Sequence, residues 1–514
     1  MTIITLDSGR IDGRSENGID VFLGVPYAAP VTPGHRFGAP RDVPPWQGVR
    51  PARALGAICP QVATYGPVGR GATSRHEAGE DFLTLNIRSP DLRGQAPVLV
   101  WLHGGGYAVG SGNEPILQTG AFAASGIVEV TPNYRLGALG FLSLDGQPEN
   151  RGLLDVIKAL EWVRRHIARF GGDPARVTLA GRSAGGFAVA TLLAMPAARG
   201  LFSRAMIQSG ATPAILPMAD ARAVTRRFLD RLGADAAALE TLPMSRLLEA
   251  QRDLCDQCYE HHDPVRDGTV TMVGIPFQPV IDPPTLPMHP EQAAITGRVM
   301  PVPVMIGTTS AEYLTHSTAH PHLSLDDTIR LLDPRVRPAG TTGAEIVARY
   351  RAALPDHDAT GLWRAIAGDL VFQNPTTRYA ALLSDWQPVH KYLFGAIGPN
   401  ETGAAHGDEL GCVWWNDATG RATLPERYRN LDPALSRRVH DIWRRFIIGE
   451  TALCAEGPWP RHARAAPAVL WIRPSGTIVT PDPFGYRPGL WPAEGATYSP
   501  TAAPPGWRRS NPPK

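Results

Sequence analysis

Residues 177–196 constrain this chain more than any other stretch. An apolar, β-branched run, Val177-Thr178-Leu179-Ala180, meets Gly181-Arg182-Ser183-Ala184-Gly185, and an apolar helical pattern over 184–195 follows, closed by Pro196. Strand, tight turn and helix in this order put Ser183 in a strained turn at the carboxyl end of a strand. The glycines two before and two after it let strand and helix approach closely. The serine hydroxyl then lies beside a helix N-terminus, where the N–H of Ala184 faces developing negative charge. A five-residue pattern with three fixed positions arises by chance in a chain with 53 glycines. Its flanks make this one specific.

A serine hydroxyl is a weak nucleophile near neutral pH, so it needs an imidazole to take its proton and a carboxylate to orient that imidazole. The candidates are Glu312, in Gly307-Thr308-Thr309-Ser310-Ala311-Glu312, and His406, in Gly403-Ala404-Ala405-His406-Gly407-Asp408. Nucleophile, acid and base thus come in the chain order of an α/β-hydrolase. A strand over 98–102 runs into His103-Gly104-Gly105-Gly106-Tyr107. Successive glycines bring backbone N–H groups close to a substrate carbonyl, and one such donor stabilises an oxyanion by roughly 3 kcal/mol. The competing nucleotide-phosphate loop lacks the Walker lysine and the spacing of a dinucleotide site.

On these motifs the chain resembles a type B carboxylesterase, the group that includes bacterial para-nitrobenzyl esterases and, more distantly, cholinesterases. The likeness runs nearly end to end. It includes Phe22-Leu23-Gly24-Val25-Pro26-Tyr27-Ala28, Arg36-Phe37, Cys59-Pro60-Gln61 and Glu80-Asp81-Phe82-Leu83-Thr84-Leu85-Asn86. Asn133-Tyr134-Arg135-Leu136-Gly137, Phe170-Gly171-Gly172-Asp173-Pro174 and Gln208-Ser209-Gly210 follow in the family's order. The resemblance implies an α/β fold, with a central, mostly parallel, twisted sheet flanked by helices and helical insertions over the active site. It implies Ser183, Glu312 and His406 as the catalytic residues, and Gly105, Gly106 and Ala184 as the oxyanion hole. It implies no cofactor and a small-molecule ester as substrate. It also implies two structural ion pairs, Arg36 with Glu80 and Arg135 with Asp173, which removes those charges from the catalytic set.

Three departures from the family pattern matter. Arg182 stands where relatives commonly carry glutamate. A cation there opposes the imidazolium of His406 and lowers its pKa; the alternative is that Arg182 turns away to pair with a carboxylate. Phe82 stands where many relatives place a cysteine, leaving Cys59 without its usual disulfide partner. No tryptophan lies between Cys59 and Phe82, where the cholinesterase loop carries the aromatic that holds a quaternary ammonium, so no cation–π choline site is expected there. Arg182 and Tyr107 are the candidates for the substrate pocket.

The 514 residues are 43% hydrophobic and carry 50 basic against 48 acidic side chains, a formal net charge of +2. The arginines are scattered, so no nucleic-acid face is expected. Length permits two or three domains, but Ser183 and His406 must meet in one site, so residues 1–491 are expected to form one domain. Helical insertions are expected at about 215–300, with helices over 221–232 and 236–254, and at about 324–370. Strands over 302–306 and 389–394 lead to Glu312 and His406. Asp432-Pro433 opens a helix with Leu435, Val439, Ile442 and Phe446 on one side. Residues 492–514 are proline-rich and are expected to be an extended or poorly ordered tail.

The first residues show no basic, apolar leader and no later run could span a bilayer, so a cytoplasmic protein without membrane association is expected. Five scattered cysteines agree with that. Cys255 and Cys258 form a CxxC without a second pair; His320-Pro321-His322 and Glu260-His261-His262-Asp263 lack matching ligands, so no metal is expected. No coiled coil or interface pattern assigns an oligomeric state. The reading that follows is a serine carboxylic ester hydrolase working through an acyl-enzyme. Acyl transfer or a cyclising biosynthetic step on the same triad, and a catalytically inert interaction protein, are its competitors.

Overall fold

The apolar segments around 98–102 and 177–182 become neighbouring strands at the centre of one sheet, buried because helices cover both faces. The computed structural model describes residues 2–62, 77–260, 263–313, 323–336, 340–397, 403–417, 424–451 and 453–491. Among them the sheet has thirteen strands. These are β1 (Thr2–Leu6), β2 (Gly9–Glu16), β3 (Ile19–Pro26), β4 (Val49–Pro51), β5 (Thr84–Ser89), β6 (Ala96–Leu102), β7 (Val128–Pro132), β8 (Gly172–Arg182), β9 (Arg204–Gln208), β10 (Val304–Thr309), β11 (Val389–Phe394), β12 (Val469–Arg473) and β13 (Gly476–Thr480). Their order is β1-β2-β3-β5-β7-β6-β8-β9-β10-β11-β12-β13, with β4 beside β2.

From β7 to β12 every neighbouring pair is parallel, while β1, β2, β3, β5 and β13 join antiparallel. After β6 the chain steps to β7 on one side and then to β8 on the other. Such a reversal opens a crevice outside the carboxyl ends of the strands, where ligands of open α/β sheets bind. The glycine loop after β6 and the serine turn after β8 leave from this crevice.

One face of the sheet packs on a core that includes Val156, Leu160, Phe187 and Val189. The other carries Trp101 edge-on to Trp414 at 5.3 Å and Tyr392 against Trp443 at 4.9 Å. The helix Pro433–Ile448 covers this second face; its N-cap Asp432 accepts from the N–H of Ala434, and Leu435, Val439, Ile442 and Phe446 are buried. Between β9 and β10 stand helices Met218–Leu232 and Met244–Glu260. The helix expected over 236–254 is broken, because Pro243 cannot continue a helix; a short 3-10 turn, Ala237–Glu240, precedes it. Between β10 and β11 stand Leu325–Val336, Gly343–Ala353, Ala359–Gly368, a π-turn Asp369–Gln373 and Asn374–Leu383. No helix among the described residues is long and apolar enough to cross a membrane.

One expected ion pair is different. Arg135 is paired with Asp155, not Asp173: Nη2 reaches Oδ1 at 2.7 Å and Nε reaches Oδ2 at 2.8 Å, both residues fully buried. Arg135 follows the carboxyl end of β7, whereas Asp173 opens β8 at the amino edge and bonds Arg176 at 2.8 Å. The length of the sheet separates the two. Arg36 lies 3.9 Å from Glu80 and bonds more closely to the carbonyl of Leu242, at 2.6 Å. All five cysteines are buried free thiols, Cys59 accepting the N–H of Leu136. Residues 63–76 between Cys59 and Phe82, His261 and His262, His320 and His322, and the tail 492–514 lie outside the described residues.

Candidate active site

Ser183 joins β8 to helix Ala184–Leu192 with φ 59° and ψ −125°, a conformation that a side-chain-bearing residue holds only when its surroundings enforce it. They do so locally. The N–H of Ser183 donates to the carbonyl of Gln208 at 2.8 Å, and its own carbonyl accepts from Phe187 at 2.8 Å. A Cβ on Gly181 would collide with the carbonyl of Gly185, and one on Gly185 with that of Leu102. Both glycines are therefore dictated by close approach, and Ser183 itself stays partly exposed.

The end of β9 ties the serine turn to the acid. Gln208 pairs with Arg182 on one side and Gly307 on the other. The next residue, Ser209, donates its N–H to Gly307 at 2.8 Å and its hydroxyl to Glu312 Oε1 at 2.7 Å. The N–H of Thr309 donates to the same oxygen at 2.8 Å. Glu312 Oε2 is left for His406, whose Nδ1 lies 2.5 Å away, and a parallel bridge between Ala311 and Ala405 holds the two loops side by side. Sequence reading gave Ser209 no role, although a serine directly after a core strand was a visible candidate.

The π-turn supplies what no periodicity marks. Phe372 lies on the His406 ring at 4.6 Å between centroids, and Gln373 Nε2 donates to the carbonyl of Thr309 at 2.6 Å. A single extra residue in a helix has no sequence period, yet such turns recur at functional sites.

Gly105 and Gly106 have φ of 113° and 60°, and a Cβ on Gly105 would collide with the carbonyl of Val109. The loop is thus shaped for glycine at the crevice, facing the N-terminus of helix Ala184–Leu192, where the first N–H groups have no helical acceptor. Tyr107 is fully buried, its ring 4.8 Å from Phe141. Its carbonyl accepts the N–H of Gly137 at 2.6 Å. His103 stacks on Tyr134 at 4.4 Å, and burial pushes its pKa down to about 4.

Arg182 does not form an ion pair among the described residues. Its Nη2 donates to the carbonyl of His406 at 2.9 Å, and Arg427 Nη2 approaches the same oxygen at 3.4 Å. Burial, then the Arg182 and Arg427 cations, hold the His406 imidazole well below its ordinary pKa, so it is a neutral base at neutral pH. Burial raises the Glu312 carboxyl, and the bonds from Ser209 and Thr309 and the charge of Arg182 oppose that rise. A neutral imidazole oriented by a buried carboxyl, its main chain tied to the residue before a partly exposed serine, is a set of groups suited to acyl transfer through a covalent intermediate. Among the described residues no three His, Cys, Asp or Glu side chains are grouped to hold a metal ion.

Residues 1–480 match the model of the carboxylesterase family. The para-nitrobenzyl esterase of Bacillus subtilis (strain 168) is 33% identical, over 96% of this chain and 99% of its own. The phenmedipham hydrolase of Pseudarthrobacter oxydans is 34% identical, over 92% and 96%. Among solved structures, a PNB esterase superposes with a TM-score of 0.81 at 32% identity, covering 96% of this chain and 99% of that one. A Geobacillus stearothermophilus carboxylesterase gives 0.79 at 29%, covering 96% and 100%.

Proposed function

The chain belongs to the carboxylesterase family and hydrolyses carboxylic esters, and on that premise we propose that Ser183 is its nucleophile, His406 its general base and Glu312 the acid that orients the base. Ser183 Oγ attacks the ester carbonyl while His406 takes its proton. The N–H groups of Gly105, Gly106 and Ala184 stabilise the oxyanion. His406 then protonates the leaving alcohol, and water, activated by the same imidazole, releases the acid from the acyl-enzyme. The residues that act are all side chains and amides of this chain, and the substrate is a small-molecule ester.

The observation that carries this reading is the 2.5 Å contact between Glu312 Oε2 and His406 Nδ1 at the carboxyl edge of the sheet. It favours the tautomer in which Nδ1 carries the proton and Nε2 is the basic nitrogen. Five buried free thiols suit a reducing compartment, and we place the enzyme in the cytoplasm on that basis.

The test is intact mass after exposure to a fluorophosphonate. Wild type should gain one adduct that Ser183→Ala lacks, with ester hydrolysis lost in parallel. An adduct that persists in Ser183→Ala would assign the nucleophile elsewhere.

A further inference from the structure

Arg182 is the last residue of β8 and precedes the nucleophile, so its guanidinium is held in fixed relation to Ser183. Nη2 bonds the main chain of the base at 2.9 Å. A Cβ built on Gly104 would come within 3.2 Å of Nη1, and one on Gly407 would run into the guanidinium. The cation therefore lies between the first glycine of the candidate oxyanion loop and the glycine after the base, partly exposed.

Its charge is not neutralised there. No carboxylate comes within 4.0 Å of it among the described residues, and its buried Nε has no hydrogen-bond partner. The acids that feel its field are Glu312, Glu114 and Glu409. Glu312 is already engaged by His406, Ser209 and Thr309. Glu114 and Glu409 are buried, which pushes each up to about 7 against the pull of Arg182, so both hold protons for much of the time at neutral pH. The neighbouring cation Arg427 is paired with Asp408 at 3.0 Å. Phe372, on the ring of the base, is packed in turn by Phe187 and Tyr313, and Tyr313 by Trp363; such an apolar wall keeps the local dielectric low, which lengthens the reach of an unpaired charge.

His406 protonates the leaving oxygen, and Arg182 is anchored on the main chain of His406. The guanidinium thus lies beside the loop that carries the proton donor for the leaving oxygen. We infer that Arg182 is a specificity-determining residue that favours esters whose leaving alcohol carries a carboxylate close to the scissile oxygen. The inference rests on the assignment of Ser183 and His406 made above. The substrate carboxylate takes up donors of Arg182 that the protein leaves unused, and a planar guanidinium suits that geometry better than a lysine does.

The test compares kcat/KM for phenyl acetate, 3-carboxyphenyl acetate and monophenyl succinate at pH 8 in wild type, Arg182→Gln and Arg182→Lys, each first titrated with fluorophosphonate to count competent Ser183. The ratio of 3-carboxyphenyl acetate to phenyl acetate should fall about tenfold in Arg182→Gln, be partly restored in Arg182→Lys and shrink with added salt in wild type. The ratio for monophenyl succinate, whose charge is on the acyl side, should stay in place. Parallel loss on all three esters would make Arg182 a strut for His406 and overturn the inference, as would equal ratios in wild type and Arg182→Gln or a loss confined to monophenyl succinate. A wild type that hydrolyses esters and labels at Ser183 but ignores charge sinks this inference alone. A wild type that neither labels nor hydrolyses sinks the triad assignment with it.

Discussion

Ser209 Oγ donates to Glu312 Oε1 at 2.7 Å, on the oxygen that His406 does not use. The hydroxyl fixes the rotation of the carboxyl group and thereby the line along which Oε2 meets the imidazole. Hydrogen bonds to charged groups are worth about 1.5–3 kcal/mol. Ser209→Ala should lower kcat about tenfold or more with KM nearly unchanged, measured by steady-state kinetics on a neutral ester. A loss expressed in KM alone would place Ser209 in binding instead.

Arg182 and Arg427 both disfavour the imidazolium of His406. As the proposed general base His406 must be neutral to act, so the acidic limb of kcat/KM should lie below the ordinary histidine value of about 6.5. Arg182→Gln removes one cation and should move that limb to higher pH; Arg182→Glu should move it further. Arg427→Gln should move it less, since Asp408 already offsets that charge. A limb that stays in place in Arg182→Glu would remove Arg182 from the causes and leave burial and Arg427.

The pairing of Arg135 with Asp155 predicts two unequal losses. Asp155→Ala strips a fully buried guanidinium of its partner and should cost about 3–5 kcal/mol. Asp173→Ala breaks the contact with the half-exposed Arg176 and should cost no more than about 1 kcal/mol. Urea midpoints of the two variants, converted with a common slope, decide between this pairing and one between Arg135 and Asp173.

Burial pushes the pKa of His390 down to about 4, helped by Arg461. The unfolded chain binds a proton near pH 6.5 and the folded one only near 4, so this residue withdraws stability as pH falls between those values, by up to about 3 kcal/mol. Glu114 and Glu409 act with the opposite sign, so the observable is a difference: between pH 7 and pH 4.5, His390→Gln should lose less unfolding free energy than wild type. Equal losses would mean that His390 is already protonated in the folded state.

What could be read from the sequence was local. The turn around Ser183 is specified by a strand, two glycines and a helix within twenty residues, and helix Pro433–Ile448 by its cap and one apolar stripe. Glu312 and His406 came from motif order and family likeness, because neither has a neighbourhood that sets it apart. The break at Pro243 was legible from proline chemistry but was outweighed by the apolar pattern on either side. The partner of Arg135 was not legible: the choice between Asp155 and Asp173 depends on which edge of the sheet each occupies. Ser209, Phe372 and Gln373 act through tertiary contacts and carry no pattern along the chain.

Both insertions hang between parallel strands that end at the same edge, one between β9 and β10 and the other between β10 and β11. The proposed reacting groups sit just beyond the strand ends, while the inserted helices are long connections whose composition the sheet does not dictate. The two connections differ: the one between β10 and β11 carries Glu312 and the π-turn with Phe372 and Gln373, while in the one between β9 and β10 only Ser209, at its start, touches the candidate site. Exchanging residues 218–260, the helices between β9 and β10, with the matching helices of a relative should therefore leave the serine turn, Ser209, Glu312 and the π-turn against His406 in place.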